Sequence, residues 1–293
     1  MGSNDCNILE IELFNLKQEY SMNTLQKTAI AAAISGLFAP AVFAQAAPAP
    51  EPSPVTANVT VVSDYRFRGI SQSNQKPAIQ GGFDYAHESG FYLGNWNSSI
   101  SWISDGNPSV SAPIEMNFYG GFKKELIAPG FASDIGVLQY AYPTVGSLTA
   151  IVNPNTTEIY AAQNFTAGPL TGFLKFSYAV SNTFGNQNSS GSYYPDLTVN
   201  YDTGIWGIGL NAHVGYQYIA GTANGATVSN SSLYSYTDWK IGLTKDFGGG
   251  LSGAVAYIDT NAKTLANGTY AYTGPTGKNN GGATGIVSLT KTF

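Results

Sequence analysis

Residues 78–102 read AIQGGFDYAHESGFYLGNWNSSISW, and the alternation of residue types along them decides the fold class. In the first half Ile79, Phe83 and Tyr85 take turns with Gln80 and Asp84; in the second Tyr92, Trp96, Ile100 and Trp102 take turns with Asn95, Asn97, Ser99 and Ser101. Successive side chains of an extended strand point to opposite faces, so each half is a strand with one apolar and one polar side. Only Glu88-Ser89-Gly90 separates the two. A link that short joins adjacent antiparallel strands, because a parallel pair needs a crossover of about a dozen residues.

The same pattern extends in both directions. Upstream, Val59, Val61, Tyr65 and Phe67 oppose Asn58, Thr60, Asp64, Arg66 and Arg68. Downstream, Ile114, Met116, Phe118 and Phe122 oppose Glu115, Asn117 and Lys123, while Leu170, Leu174, Phe176 and Tyr178 oppose Thr171, Lys175 and Ser177. Leu197, Val199 and Tyr201 oppose Asp196, Thr198 and Asn200; Trp206, Ile208, Leu210, Val214 and Tyr216 oppose Asn211, His213 and Gln217; Trp239, Ile241 and Leu243 oppose Asp238 and Lys240. Weaker runs cover 131–140, 157–165 and 251–258, which brings the count to about twelve strands. Connections alternate in length: tight at 87–90, 167–168, 202–204 and 246–250, long and polar at 69–76, 104–112, 142–156, 181–192, 220–232 and 260–281. The stretch 124–130 is longer than that scheme expects.

Short turns on one side and long loops on the other, with no helical periodicity, predict an all-β, antiparallel up-and-down barrel over 57–293 that spans a membrane. In hydrocarbon an unpaired backbone group costs several kcal/mol, so a sheet must close on itself. Charges then line the interior, and Asp64, Asp84, Glu115, Lys123, Asp134, Glu158, Lys175, Asp196, Asp238 and Lys240 all take the polar register. His87, Lys245, Asp259 and Lys291 do not, and each lies near a strand end, where facing lipid costs only about 0–1 kcal/mol. Tyr65, Phe67, Tyr92, Trp102, Tyr216 and Tyr257 fall near strand ends and are expected at the headgroup level. A soluble β-sandwich would share the alternation but not the one-sided long loops.

Composition agrees: the 293 residues include 34 Gly, 19 Tyr and 15 Phe, and a net charge of −5 with no basic patch argues against a nucleic-acid partner. Met22 to Ala44 reads as an export signal, with Lys27 before a short apolar run that ends at Val42-Phe43-Ala44. Residues 1–21, which carry Asp5, Glu10, Glu12 and Glu19, then form an unexplained extension with Met22 as the expected initiator, and 45–56 an Ala/Pro-rich leader. The single cysteine, Cys6, lies in the extension, so the exported chain is expected to hold no thiol.

The segment Ser63-Asp64-Tyr65-Arg66-Phe67-Arg68-Gly69-Ile70-Ser71-Gln72-Ser73, followed by Pro77-Ala78-Ile79-Gln80-Gly81-Gly82-Phe83-Asp84-Tyr85 and Ser89-Gly90-Phe91-Tyr92-Leu93-Gly94-Asn95-Trp96, resembles the opening of the TorF family of porin-like outer-membrane proteins. The resemblance is close over these first strands and holds by pattern to Ser288-Leu289-Thr290-Lys291-Thr292-Phe293. It implies a bacterial outer-membrane barrel with no settled substrate. The terminal Phe293 is similar to the signal that the outer-membrane assembly machinery reads.

The expected function is passive diffusion of small polar solutes, with Asp64, Arg66, Arg68, Asp84, Glu115, Lys123, Lys175, Asp238 and Lys240 lining the lumen. Both signs occur, so strong ion selectivity is not expected. The alternatives are a non-conducting structural or adhesive barrel, in which these charges only satisfy one another, and a lipid hydrolase. Hydrolysis has little support: His87 with Glu88 and Ser89 sits in a tight turn where the side chains are expected to diverge, and His213 fits a polar wall position. No catalytic site, cofactor or metal is expected, because no His, Asp or Glu pair occurs at ligand spacing on a shared face.

Overall fold

The computed structural model describes residues 53–146 and 152–293. The extension, the export signal, Cys6 and residues 45–52 of the leader lie outside the described residues. In chain order the strands are β1 (Val55–Val62), β2 (Arg66–Phe67), β3 (Ile70–Ser71), β4 (Ala78–Ala86), β5 (Phe91–Ser99), β6 (Val110–Ser111), β7 (Ile114–Ala128), β8 (Phe131–Ala141), β9 (Val145–Gly146), β10 (Thr156–Ala167), β11 (Leu170–Ala179), β12 (Tyr193–Asp202), β13 (Ile208–Gln217), β14 (Tyr236–Gly248), β15 (Leu251–Thr260) and β16 (Thr284–Thr292). Two one-turn helices, α1 (Trp102–Gly106) and α2 (Asn230–Tyr234), sit in long loops.

All except β2, β3, β6 and β9 form one closed barrel of twelve antiparallel strands, in which β1 pairs with both β4 and β16. Each of the twelve barrel strands is therefore paired on both sides. The seam extends beyond β16, because Phe293 N–H donates to Ala57 C=O at 2.9 Å.

Residues directly opposed in a ladder share a face, so the registers sort every side chain to one wall. On β12, for example, Tyr193, Leu197, Val199 and Tyr201 face out against Tyr178, Leu174, Gly172 and Leu170, while Asp196 and Thr198 face in against Lys175 and Phe173. Tyr193 to Tyr201 spans roughly 27 Å of strand, or about 20 Å along the axis at a tilt of about 40°, close to the height of a bilayer's apolar band. Outward rings gather at both ends: Tyr193 stacks on Phe176 and Tyr218 (5.6 and 4.7 Å) at the loop end, and Phe91 meets Phe122 edge-on (5.2 Å) at the turn end. Among the described residues no helix is long and apolar enough to cross a membrane, which leaves crossing by strands untouched.

Three sequence expectations about the strands need correction. On β5 the faces are exchanged: Tyr92, Trp96 and Ser98 lie on the inner row with Gln80, Gly82 and Asp84, and Phe91 and Leu93 are the exposed residues. Tyr and Trp fit the interior here because polar partners and a packed loop receive them, so the amphipathic rings fooled an apolar-means-lipid rule. The first strand ends at Val62, and the segment carrying Asp64, Tyr65, Arg66, Phe67 and Arg68 turns into the barrel instead of extending it. Between β7 and β8 the ladder runs on to Ala128 and Phe131 with a register shift after Glu125, so most of the seemingly long turn 124–130 is strand.

Candidate functional site

The interior of the barrel is occupied by residues 64–75. Ser63 still bonds Val287 of β16, and beyond it the chain folds inward as the β2–β3 hairpin. Its two central turn residues both have positive φ, Arg68 at 47° and Gly69 at 78°, which is the signature of a type I′ turn. Gly69 is required twice over: a Cβ there would overlap Thr260 Cγ2 and stand 2.8 Å from Asp238 Cβ, both on the inner wall. Arg68, a non-glycine in the left-handed region, stores backbone strain of about 1–2 kcal/mol that the surrounding contacts must hold.

Those contacts are specific. The Arg68 guanidinium donates to Glu158 of β10 at 2.7 Å and to Gln217 of β13 at 2.6 Å, and lies 4.2 Å from the Tyr194 ring centre and 4.8 Å from that of Phe67. Phe67 in turn packs edge-on against Tyr140 and Phe184. At the hairpin base Asp64 accepts from Arg66 at 2.6 Å and from Ser71 at 2.5 Å. Arg66 also donates to the carbonyls of Gly69, Asn280 and Gly282, which ties the hairpin to the 260–283 loop. Tyr65 reaches Glu115 with its hydroxyl at 3.1 Å and Trp96 with its ring. Asp64, Arg66 and Arg68 are therefore carried into the barrel by an inward loop, not by the first strand.

The wall facing the hairpin carries charge in a fixed order. Following ladder partners from β7 to β14, one row reads Lys123, Asp134, Ala162, Lys175, Asp196, Gly215, Asp238. One step toward the turns, His213 and Lys240 are partners in the next row. His213 is clamped between Asp196 and Asp238, each at 2.9 Å. Lys175 Nζ sits 4.1 Å from the Tyr160 ring centre, and Lys123 Nζ donates to Asn164 at 3.2 Å. Between hairpin and wall a cavity of about 100 Å³ remains, lined among others by Arg68, Lys175, Asp196, His213, Asp238 and Lys240. Asp84 and Glu115 lie outside this row, hydrogen-bonded to Tyr119 and to Tyr65 and Asn117 respectively.

A second regularity lies outside the alternation of polarity. Inward tyrosines lie across a glycine of the neighbouring strand: Tyr119 over Gly94, Tyr92 over Gly121, Tyr160 over Gly136 and Tyr194 over Gly215, where a Cβ would overlap the ring or hydroxyl in each case. Three of the four hydroxyls then reach an aspartate beyond: Tyr119 to Asp84, Tyr92 to Asp134 at 2.7 Å and Tyr194 to Asp238 at 2.8 Å. The rings thus lie along the wall and orient its acids. Glycines opposite tyrosines in consecutive runs were the available signal.

Of the aromatic residues expected at the membrane surface, Tyr216 and Tyr257 do face outward and are partly exposed. Tyr65, Phe67 and Tyr92 are interior, as described, and Trp102 lies in α1 with its ring 5.6 Å from that of Tyr142. His87 and Ser89 do not diverge: His87 Nδ1 and Ser89 Oγ are 2.7 Å apart in an exposed turn, a pairing that satisfies the turn's own polar groups. Among the described residues no three acidic, His or Cys side chains are grouped to hold a metal ion.

Solved structures similar to this chain include a KdgM porin (7% identity, covering 81% of this chain and 99% of that one, TM-score 0.48). A KdgM porin in complex with disordered oligogalacturonate is another (8% identity, 82% and 98% covered, TM-score 0.46). OccAB1 of Acinetobacter baumannii is a third (12% identity, 74% and 58% covered, TM-score 0.43). No curated protein matches. A family described as "Bacterial protein of unknown function (Gcw_chp)" matches residues 46–293, and the chain, a closed twelve-stranded barrel with an inward hairpin, belongs to that family.

Proposed function

We propose that the protein is a bacterial outer-membrane channel through which small polar solutes diffuse passively, and that the β2–β3 hairpin sets its narrowest point. The observation that carries this is the inversion of polarity: exposed Ile79, Leu93, Ile135, Leu174, Ile241 and Val287 on the outer wall against Lys123, Asp134, Lys175, Asp196, Asp238 and Lys240 within. Water or paired charge inside and hydrocarbon outside is the arrangement in which neither set is costly. Asp64, Arg66, Arg68, Asp84 and Glu115 join the lining. Export with cleavage after Ala44, embedding in outer-membrane lipid, recognition of Phe293 by the assembly machinery, and kinship with the TorF porin-like proteins belong to the same proposal. In planar bilayers the refolded chain should give discrete conductance steps with weak ion selectivity, and deletion of residues 64–76 should enlarge them.

The second reading is a non-conducting structural barrel. It is favoured by the mutual pairing of Arg66 with Asp64 and Arg68 with Glu158, and by the small size of the remaining cavity. Absence of steps from both the full chain and the deletion would decide for it.

A further inference from the structure

The outer surface of the barrel sorts its charge by end. Among the described strand residues, the outward cations are Lys124 of β7, Lys245 of β14 and Lys291 of β16, all near the turn-end termini of their strands. The outward acid, Asp259, stands opposite Trp239 at the loop end. Lys245 and Lys291 are separated by one strand, about 10 Å across the sheet. Their ammonium groups fold back on the carbonyls of Trp206 and Gly249, neutral acceptors of the turns, and none of the ion pairs among the described residues involves them.

Exposed rings surround the pair. Trp206 is 81% exposed, Phe293 is 72% exposed with Lys291 Nζ 5.5 Å from its centre, and Phe247 lies over Gly253 between the two lysines. Rings at the edge of a barrel's apolar band reach the upper acyl carbons, and lysine stems run along apolar surface to place the charge at the headgroups above them.

We propose that this face binds an anionic glycerophospholipid of the turn-side leaflet, with Lys245 and Lys291 on headgroup phosphates and Phe247, Trp206 and Phe293 among the upper acyl carbons. Charge complementarity and continuity with the apolar wall single out a lipid: a free phosphate would have no use for the rings. The proposal rests on the membrane-barrel reading. Each lysine near an anionic surface should favour the anionic lipid about fivefold.

The test uses the full chain refolded into mixed phosphatidylcholine and phosphatidylglycerol bilayers, released into mild detergent, with retained lipid counted by native mass spectrometry. Phosphatidylglycerol should be retained at least fivefold over phosphatidylcholine. Lys245→Gln with Lys291→Gln should abolish that preference, the double arginine variant should keep it, and Lys263→Gln with Lys278→Gln in the long loop should leave it unchanged. Insertion with equal retention of both lipids, or undiminished preference in the glutamine variant, overturns this proposal alone. Failure to insert into any bilayer overturns the membrane reading along with it.

Discussion

Replacing Gly69 with alanine tests whether the hairpin is held against the wall by fit. The added Cβ meets Thr260 Cγ2 and Asp238 Cβ, and the residue must keep a φ of 78°. The left-handed conformation costs alanine about 1 kcal/mol more than glycine, and forcing a methyl group into a packed contact about 1–3 kcal/mol. A total of roughly 3 kcal/mol shifts the docking equilibrium about a hundredfold toward the released hairpin. The barrel ladders do not include Gly69, so β content and thermal unfolding in detergent should stay close to wild type. Arg66 is buried in the docked state and Arg68 is enclosed by Glu158, Gln217 and Tyr194, so trypsin should spare both in the wild type and cut there in the variant. Single-channel conductance should rise in parallel. Gly204→Ala is the control, because its φ of 66° carries the same backbone cost with open space around the position. A Gly69→Ala protein as trypsin-resistant and as conductive as the control would refute the idea that contact with β14 and β15 holds the hairpin in place.

Other perturbations follow from the same geometry. Glu158→Gln leaves the Arg68 guanidinium buried without its carboxylate; breaking one partner of such a pair costs about 3–5 kcal/mol, and the hairpin should become sensitive to trypsin while the barrel stays folded. Gly215→Val should lift the Tyr194 ring from the wall and release its bond to Asp238, lowering unfolding stability by about 1–3 kcal/mol, whereas Gly209→Ala, with only Tyr201 C=O at 3.7 Å, should change little in denaturant titrations. Leu174→Arg on the outer wall should destabilise the vesicle-embedded protein by about 2–4 kcal/mol, while Thr198→Arg on the inner wall of the neighbouring strand should cost clearly less. Removing Phe293 should reduce the amount of barrel recovered in the outer membrane of cells without changing refolding in detergent.

Period-2 alternation made most of the barrel legible, because β4, β7 and β11–β14 set branched or aromatic residues on one face against charges and amides on the other, with inward Tyr119, Phe173 and Tyr194 and outward Lys124 and Lys245 among the exceptions. It failed at β5, where both faces carry large rings or amides and period 2 alone cannot say which is outside. It failed again past Val62, since Ser63–Phe67 continues the alternation although the chain has left the sheet; the Arg68-Gly69 turn was the sign of a hairpin within what looked like strand and loop. The inward register of Lys123, Lys175, Asp196, Asp238 and Lys240 follows from the same alternation, because each stands beside an apolar residue along its strand. Their order around the wall was hidden, for it depends on inter-strand register, which hydrophobicity does not encode.

That last gap bears on how twelve similar strands find one arrangement. A slip by two residues leaves the outward and inward sets unchanged, so burial gives almost no penalty against it. It would, however, bring Tyr194 down on a residue other than Gly215, or Tyr160 on one other than Gly136, with a side chain where the ring must lie. The tyrosine and glycine partners thereby act as keys cut for a single alignment, rejecting the near-misses that greasiness alone would accept.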